Sequence, residues 1–278
     1  DGTVVAWGDN GWQQCNIPAG LDNVVGIATG GDGHNLALKQ DGTVVAWGNN
    51  NDAECEVPGD LRDAVAVAAG AYHSMALRSD GTVVAWGRAE EGQCDVPEDL
   101  TDAVAIAAGE WHSVALKSDG TVVAWGRNYW GECDVPEDLS DVVAISAGGM
   151  HSMALKADGT VVIWGDDGYE QWNIPADLSN VSAISAGWSY NLALLRTKTL
   201  EEDTTPPVIF GCGNRVLTTP DPEGGAFMAC QVRVRDDIDS RPMVTYDPPL
   251  GTWLPMGTNT VSVTAEDASG NTSSCEFT

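Results

Sequence analysis

The hydrophobic positions of this chain fall in short runs broken by glycine. Between Ala103 and Gly126 the sequence reads AVAIAAG, EWHSVALKSDG and TVVAWG, three apolar runs of strand length separated by turn residues. They do not alternate cleanly. VAIAA and VVAW are apolar on both faces, the pattern of strands covered by neighbouring sheets on each side. We letter the runs A, B and C. DGTVVAWG begins at Asp1, Asp41, Asp80 and Asp119, and DGTVVIWG at Asp158, so the unit recurs every 39 or 40 residues. Such a period marks a solenoid or a propeller. The Asp-Gly between B and C predicts a two-residue hairpin with a type I′ turn. In strand A, Ala68, Ala69, Ala107, Ala108, Ala147 and Ala186 lead into Gly70, Gly109, Gly148 and Gly187. Small residues there let the innermost strands crowd around an axis. The chain opens on a lone C strand, and its last repeat, Val181 to Ala186 then Tyr190 to Leu195, lacks one. The first strand can therefore complete the last blade and latch the ring; an open arc that pairs with another copy through its edges is the alternative.

Composition narrows the partners. The 278 residues are 43% hydrophobic and 19% charged with 32 glycines, a folded chain of one large or two ordinary domains. Lys plus Arg number 13 against 41 Asp plus Glu, a formal charge of −28. That field repels phosphate, so neither nucleic acid nor an anionic membrane is expected as a partner. No apolar run approaches the roughly 20 residues of a membrane-spanning helix. Without an initiator Met, the chain is expected to be processed or a segment of something longer.

If A runs up and B down, the A–B turns and the loops after C share a face. Tyr72, Trp111, Met150, Trp188 and Tyr190 come from the first set, and Trp12, Tyr129, Trp130 and Tyr169 from the second. They differ from repeat to repeat, as a recognition surface on a common scaffold requires. Asp52, Glu54, Glu90, Glu91 and Glu132 in the same loops make the expected face aromatic and acidic, suited to basic or sugar-like partners. Trp7, Trp47, Trp86, Trp125 and Trp164 hold one strand position throughout and are expected to pack between blades.

His34, His73, His112 and His151 also share one position, filled by Tyr190 in the fifth repeat. Sheets roughly 10 Å apart hold equivalent rings beyond the ~2.1 Å ligand distance of one metal ion. No singular Ser, Cys or Asp accompanies them, as a catalytic constellation would need. They are expected to be structural. Cys15, Cys55, Cys94 and Cys133 are likewise equivalent, and a disulfide needs Cα atoms within about 7 Å. They read as small buried hydrophobes, with a bridge to another chain as the alternative. No catalytic residue, cofactor or metal is expected.

The string HSVALKSDGTVVAWG, with GECDVPEDL following, resembles the repeats of the regulator of chromosome condensation family. Its short period is most similar to the propeller-type β-lactamase inhibitory proteins. The resemblance spans residues 1 to about 196 and implies a β-propeller of three-stranded blades. That family usually has seven blades against five copies here, so the ring is smaller or two repeats lie upstream. KTLEEDTTPP then reads as a proline-stiffened linker. Beyond it PPVIFGC, QVRVR, VSVTA and DASGNTSSCEF resemble the hyalin repeat (HYR) module, an immunoglobulin-like sandwich of extracellular proteins. The resemblance implies that Cys212 pairs with Cys275 and leaves Cys230 without the family's usual second partner. Asn180 and Asn271 head glycosylation sequons. Asp236, Asp237 and Asp239 with Glu266 and Asp267 form either a calcium cluster or a solvated acidic edge.

The expected fold is all-β: a β-propeller of short three-stranded blades over 1–197, a linker over 198–205 and an immunoglobulin-like β-sandwich over 206–278. The expected function is a non-enzymatic, extracellular or cell-surface structural module. Its propeller face binds protein or glycan partners in an assembly such as a filament, with self-association open to it. The alternative is an enzyme inhibitor anchored by Tyr72, Trp111, Tyr129, Trp130 and Trp188. Nucleotide exchange on a nuclear GTPase, implied by other members of the repeat family, conflicts with the charge and with the second module.

Overall fold

The structure, a computed structural model, describes residues 2–176, 178–195, 204–210, 225–227, 232–236, 242–249, 253–255 and 258–278. It divides into two compact units, Asp1–Arg196 and Thr197–Thr278. No described residue is helical.

The first unit contains four antiparallel three-stranded sheets, each the A–B–C meander expected from the sequence. They comprise β1 (Val24–Thr29), β2 (His34–Lys39) and β3 (Val44–Gly48), then β4 (Ala64–Ala69), β5 (His73–Arg78) and β6 (Val83–Gly87). The third holds β7 (Ala103–Ala108), β8 (His112–Lys117) and β9 (Val122–Gly126), and the fourth β10 (Val142–Ala147), β11 (His151–Lys156) and β12 (Val161–Gly165). A fifth sheet has only β13 (Val181–Ala186) and β14 (Asn191–Leu195). Every A–B pair carries a bulge after its first residue, as between Ala103 and Ala105, which sharpens the local twist.

The B–C hairpin differs from the type I′ turn that Asp-Gly suggests. Lys39 N–H donates to Thr43 O at 2.9 Å and Gly42 N–H to Lys39 O at 3.0 Å, which closes a three-residue loop. Only the glycine has positive φ, +81° at Gly42, while Asp41 does not. Asp41 instead caps the turn: its Oδ1 accepts from the Thr43 N–H at 3.1 Å and hydroxyl at 2.6 Å. Asp80 and Asp119 repeat this cap. A single left-handed residue after an ordinary turn is the geometry of a three-residue hairpin with a glycine bulge.

Successive sheets are joined by side chains from strand B. His34 Nε2 lies 3.1 Å from Ser74 Oγ, His73 Nε2 2.9 Å from Ser113 Oγ, and His112 Nε2 3.0 Å from Ser152 Oγ. Each serine already donates its proton to a backbone carbonyl, that of Glu54, Gln93 or Glu132. The histidine is therefore the donor, which fixes the Nε2–H tautomer. The series ends where His151 Nε2 donates to Asn191 Oδ1 at 2.7 Å. The same three carbonyls also accept the indole N–H of Trp86, Trp125 and Trp164 at 2.8–3.0 Å. Histidine, serine and tryptophan thus tie each blade to its neighbour and to the loop between them. The structural role expected of the histidines is what the geometry gives.

Glycine clears the axis for these rings. A Cβ on Gly109 would stand 2.7 Å from Gly148 O and closer still to the His112 ring. Between sheets the core is apolar: Met75 and Leu77 of one blade pack with Ala103, Ala115 and Trp125 of the next.

Two expectations fail at the ends of the series. Gly2–Trp7 lies in no sheet, and among the described residues β14 pairs only with β13, so the first segment does not latch the last blade. Trp7 is 84% exposed, whereas Trp47, Trp86, Trp125 and Trp164 are 3–9% exposed. Burial of this tryptophan comes from the neighbouring blade and loop, which Trp7 does not have. Leu192 and Leu194 of β14 are 63% and 64% exposed for the same reason.

In the second unit β15 (Met243–Asp247), β16 (Val261–Glu266) and β17 (Thr272–Phe277) form one antiparallel sheet. Val261, Val263 and Phe277 make its core, with Ile209, Val232 and Val244 against them. Asp267 shapes the turn between β16 and β17, accepting from the Ser269 and Asn271 backbone N–H groups and the Asn271 amide at 2.8–3.0 Å.

Two measurements check the inter-blade contacts. Burial pushes the His34 pKa down to about 4 and those of His73 and His112 to about 3, whereas the unfolded chain titrates near 6.5. Between these values the unfolded state binds more protons, so stability is full above pH 6.5 and falls as the pH drops. Each histidine adds up to about 1.4 kcal/mol per pH unit to that slope, read from urea denaturation at pH 7, 5.5 and 4.5. Gly109→Ala, measured the same way at pH 7, is expected to cost about 2–3 kcal/mol through overpacking at the axis.

Candidate partner-binding face

The start of strand B pairs with the end of strand C, as His73 does with Gly87, so the A–B turns and the post-C loops occupy one face. The two sets are hydrogen-bonded together: Arg88 N–H donates to Tyr72 O and Arg127 N–H to Trp111 O, both at 2.9 Å. The shared face expected from the sequence is therefore present.

Each post-C loop is shaped by a Gln or Glu folded back on its own backbone. Gln14, Glu54, Gln93, Glu132 and Gln171 each accept, through a side-chain oxygen, the N–H two residues earlier at 2.7–3.0 Å. The other terminal atom meets the residue five positions back where the chemistry matches. Gln14 and Gln171 donate to Asp9 and Asp166, at 2.9 and 3.2 Å, and Glu132 accepts from Arg127 Nε at 3.0 Å. In two loops this second contact is not made. At Gln93 the position five residues back is Arg88, a donor like the Gln amide nitrogen, and at Glu54 it is Asn49, whose amide is engaged with Asp32. Gln93 Nε2 and Glu54 Oε1 are buried without a hydrogen-bond partner.

These clamps correct the acidic surface expected from the sequence. Glu54 and Glu132 are fully buried loop formers, while Glu90 is exposed and Asp52 and Glu91 are half-buried. A carboxylate that closes a turn on its own N–H points inward whatever its charge. The four equivalent cysteines belong to the same loops. Cys15, Cys55, Cys94 and Cys133 are free, and each Sγ–H donates to the carbonyl six residues earlier at 3.1–3.2 Å. Burial pushes the Cys55 and Cys94 thiols up to about 11 and Cys133 up to about 12, which keeps them protonated and unreactive.

Tyr72 and Trp111, from neighbouring A–B turns, meet with ring centroids 4.3 Å apart at 33°. Arg88 lies over both, 4.8 Å from Trp111 and 5.8 Å from Tyr72. Its guanidinium also pairs with Glu90 and approaches Asp52 at 3.9 Å. Arg127 continues the row, 5.7 Å from Trp111 and 5.9 Å from Tyr129, with Glu110 3.9 Å from its Nη2. Tyr72, Arg88, Trp111, Arg127 and Tyr129 thus form one stacked series held by rigid strands. Arginine over an aromatic face is favourable and orders both groups.

The remaining expected positions lie outside this row. Trp12, Trp130 and Tyr169 are exposed tips of their own loops, and Met150 is half-buried. Trp188 reaches across the turns: a Cβ on Gly149 would lie 3.3 Å from its ring, and one on Gly31 3.9 Å. Tyr190 fills the histidine slot, its ring against Gly187. The arginines escaped the sequence reading. Their signal was the loop position itself, occupied by Asp9, Asn49, Arg88, Arg127 and Asp166 in turn.

Asn180 is exposed, whereas the Asn271 amide is engaged with Asp267. The Asp267 oxygens serve the turn, and Asp237 and Asp239 lie outside the described residues, as do Cys212 and Cys230. Cys275 is disulfide-bonded. Among the described residues no His, Cys, Asp and Glu cluster has the geometry to hold a metal ion.

Comparison with known proteins places both units. The regulator of chromosome condensation (RCC1) repeat matches residues 24–53, 64–93, 103–131 and 142–171, and the HYR domain matches 202–278. A search of curated proteins found no match. Among solved structures, the ectodomain of the Physcomitrella patens receptor kinase CR4 is 26% identical with a TM-score of 0.51, covering 59% of this chain and 47% of its own. The chain thus spans about half the length of that relative. The CRINKLY WD40 ectodomain of the Arabidopsis thaliana receptor kinase ACR4 is 19% identical, with a TM-score of 0.53 and 68% of each chain covered. Prp20p from Saccharomyces cerevisiae is 20% identical, with a TM-score of 0.51, covering 90% of this chain and 71% of its own. The first unit accordingly carries four RCC1 repeats in a propeller-type series of three-stranded blades, and the second carries a HYR domain.

Proposed function

We propose that the face bearing the A–B turns and post-C loops binds a protein partner, and that the chain serves as a non-enzymatic module of an extracellular or cell-surface assembly. The observation that carries this reading is the row Tyr72–Arg88–Trp111–Arg127–Tyr129. Aromatic and arginine side chains dominate protein-binding hot spots because they bury large area at small entropic cost when already held in place. Here the strands and the back-folded Gln and Glu side chains hold them before any partner arrives. The binding of Prp20p to Gsp1p and histones supports protein as the partner class. The HYR domain and the receptor ectodomains among the structural neighbours support the location, as does the bonded Cys275, since disulfides persist in oxidising compartments. In this reading Cys212 is the partner of Cys275, the exposed Asn180 is open to a glycan, and residues 198–205 link the two domains.

Trp111→Ala with Tyr129→Ala, immobilised and offered the secreted proteins of its source, is expected to lose at least about tenfold of the capture shown by the parent chain. Circular dichroism of the variant should match the parent. Undiminished capture overturns the proposal, and loss of glycan-array binding alone makes the partner a glycan. Non-reducing peptide mapping is expected to recover a Cys212–Cys275 link, with Cys55, Cys94 and Cys133 alkylated only after unfolding.

A further inference from the structure

Around the Tyr72–Trp111 pair the charges do not balance. Arg88 is the guanidinium over both rings, and Asp52 and Glu90 lie on its nitrogens. Glu54, in the adjoining loop, sits at the root of the same arginine: a Cβ on Gly87, the residue before Arg88, would be 3.5 Å from Glu54 Cα. Its carboxylate is fully buried, and Oε1 has no hydrogen-bond partner. Asp32 joins the group through Asn49, whose amide donates to Asp32 Oδ2 at 2.8 Å. Burial first, then Asp52 and Asp32, push the Glu54 pKa up. Burial likewise leads, with Asp32, Glu110 and Asp52 next, in raising the Tyr72 hydroxyl against the pull of Arg88. Asp32, Asp52, Glu54, Glu90 and Glu110 therefore outnumber the two cations beside the pair, Arg88 and Arg127.

The site also displays the ligand chemistry it accepts, because it holds a guanidinium of its own on two aromatic rings. Its counterpart Arg127 is tied to Glu132. An acidic cluster with an orphaned buried oxygen, next to an aromatic pair, requires positive charge and hydrogen-bond donors. We infer that this corner of the face takes an arginine-bearing segment of a protein partner, whose guanidinium stacks on the Tyr72–Trp111 pair beside Arg88 and is neutralised by Asp32 and Asp52, with the buried Glu54 adding to their field. Arginine is favoured over lysine, since a planar guanidinium both stacks and donates in a fork. The inference rests on the protein-binding reading of the face and adds the chemistry of the partner.

Fluorescence anisotropy with labelled arginine-rich, lysine-rich and glutamate-rich peptides of equal length tests it on the full chain. The arginine peptide is expected to bind about fivefold or more tighter than the lysine peptide. Asp52→Asn with Glu54→Gln should weaken it about tenfold, and Asp52→Asn alone should weaken it measurably if the double variant fails to fold. Asp99→Asn with Glu137→Gln removes the same charge from exposed sites elsewhere and should change binding less than about twofold. Arg88→Ala removes a like charge and should tighten binding about threefold.

Equal losses in the two charge-neutralising variants would reduce the effect to net charge and overturn the inference. So would weaker binding in Arg88→Ala, or preference for the glutamate peptide; both leave the binding face itself standing. Binding of every peptide untouched by Trp111→Ala and Tyr129→Ala would overturn the inference, and partner capture untouched by them would remove the face as well.

Discussion

The contact on which the propeller depends is the hydrogen bond from a buried histidine to a serine of the next blade. It is neutral, fully desolvated and repeated at the same height, and the serine passes its own proton to a loop carbonyl that a tryptophan also holds. One set of three side chains therefore fixes the spacing of blades and the position of each connecting loop. The rest follows from that spacing. Glycine at the axis is required because the histidine ring occupies the volume of a side chain, and the apolar faces of strand B close on the neighbouring blade.

Much of this was legible in the repeats. Five copies of DGTVV(A/I)WG gave strand, period and architecture, and the equivalence of the four histidines marked them as scaffold. What escaped depended on surroundings that a single repeat does not contain. Trp7 carries the same local sequence as Trp47, yet its burial would have to come from a blade it does not touch. The Asp-Gly turn is compatible with two hairpin geometries, and the Thr hydrogen bonds to Asp41 and its counterparts select the three-residue one. The loop position of Glu54 and Glu132 predicts exposure, and their hydrogen bonds to the loop backbone reverse it.

The repeat order implies that the A–B turns and post-C loops share one side, but the side chains that side carries were only half visible. Aromatic residues stand out in a sequence by their rarity, while Arg88 and Arg127 looked like ordinary loop cations in a chain with 13 Lys and Arg residues. Their weight comes from where the loop clamp sends them. Arg127 pairs with the buried Glu132 and faces Trp111 and Tyr129, whereas Arg88 pairs with the exposed Glu90 and lies over Tyr72 and Trp111.

The clamp has a further consequence for how such a molecule can change. Because each loop is closed by a Gln or Glu on its own backbone, and three of the five also by a companion five residues earlier, the tip side chains contribute little to holding the loop together. Trp12, Tyr129, Trp130 and Tyr169 sit at those tips. Substitution there leaves the sheets and their histidine contacts below untouched, so the tips of the repeats are free to diversify on an unchanged frame.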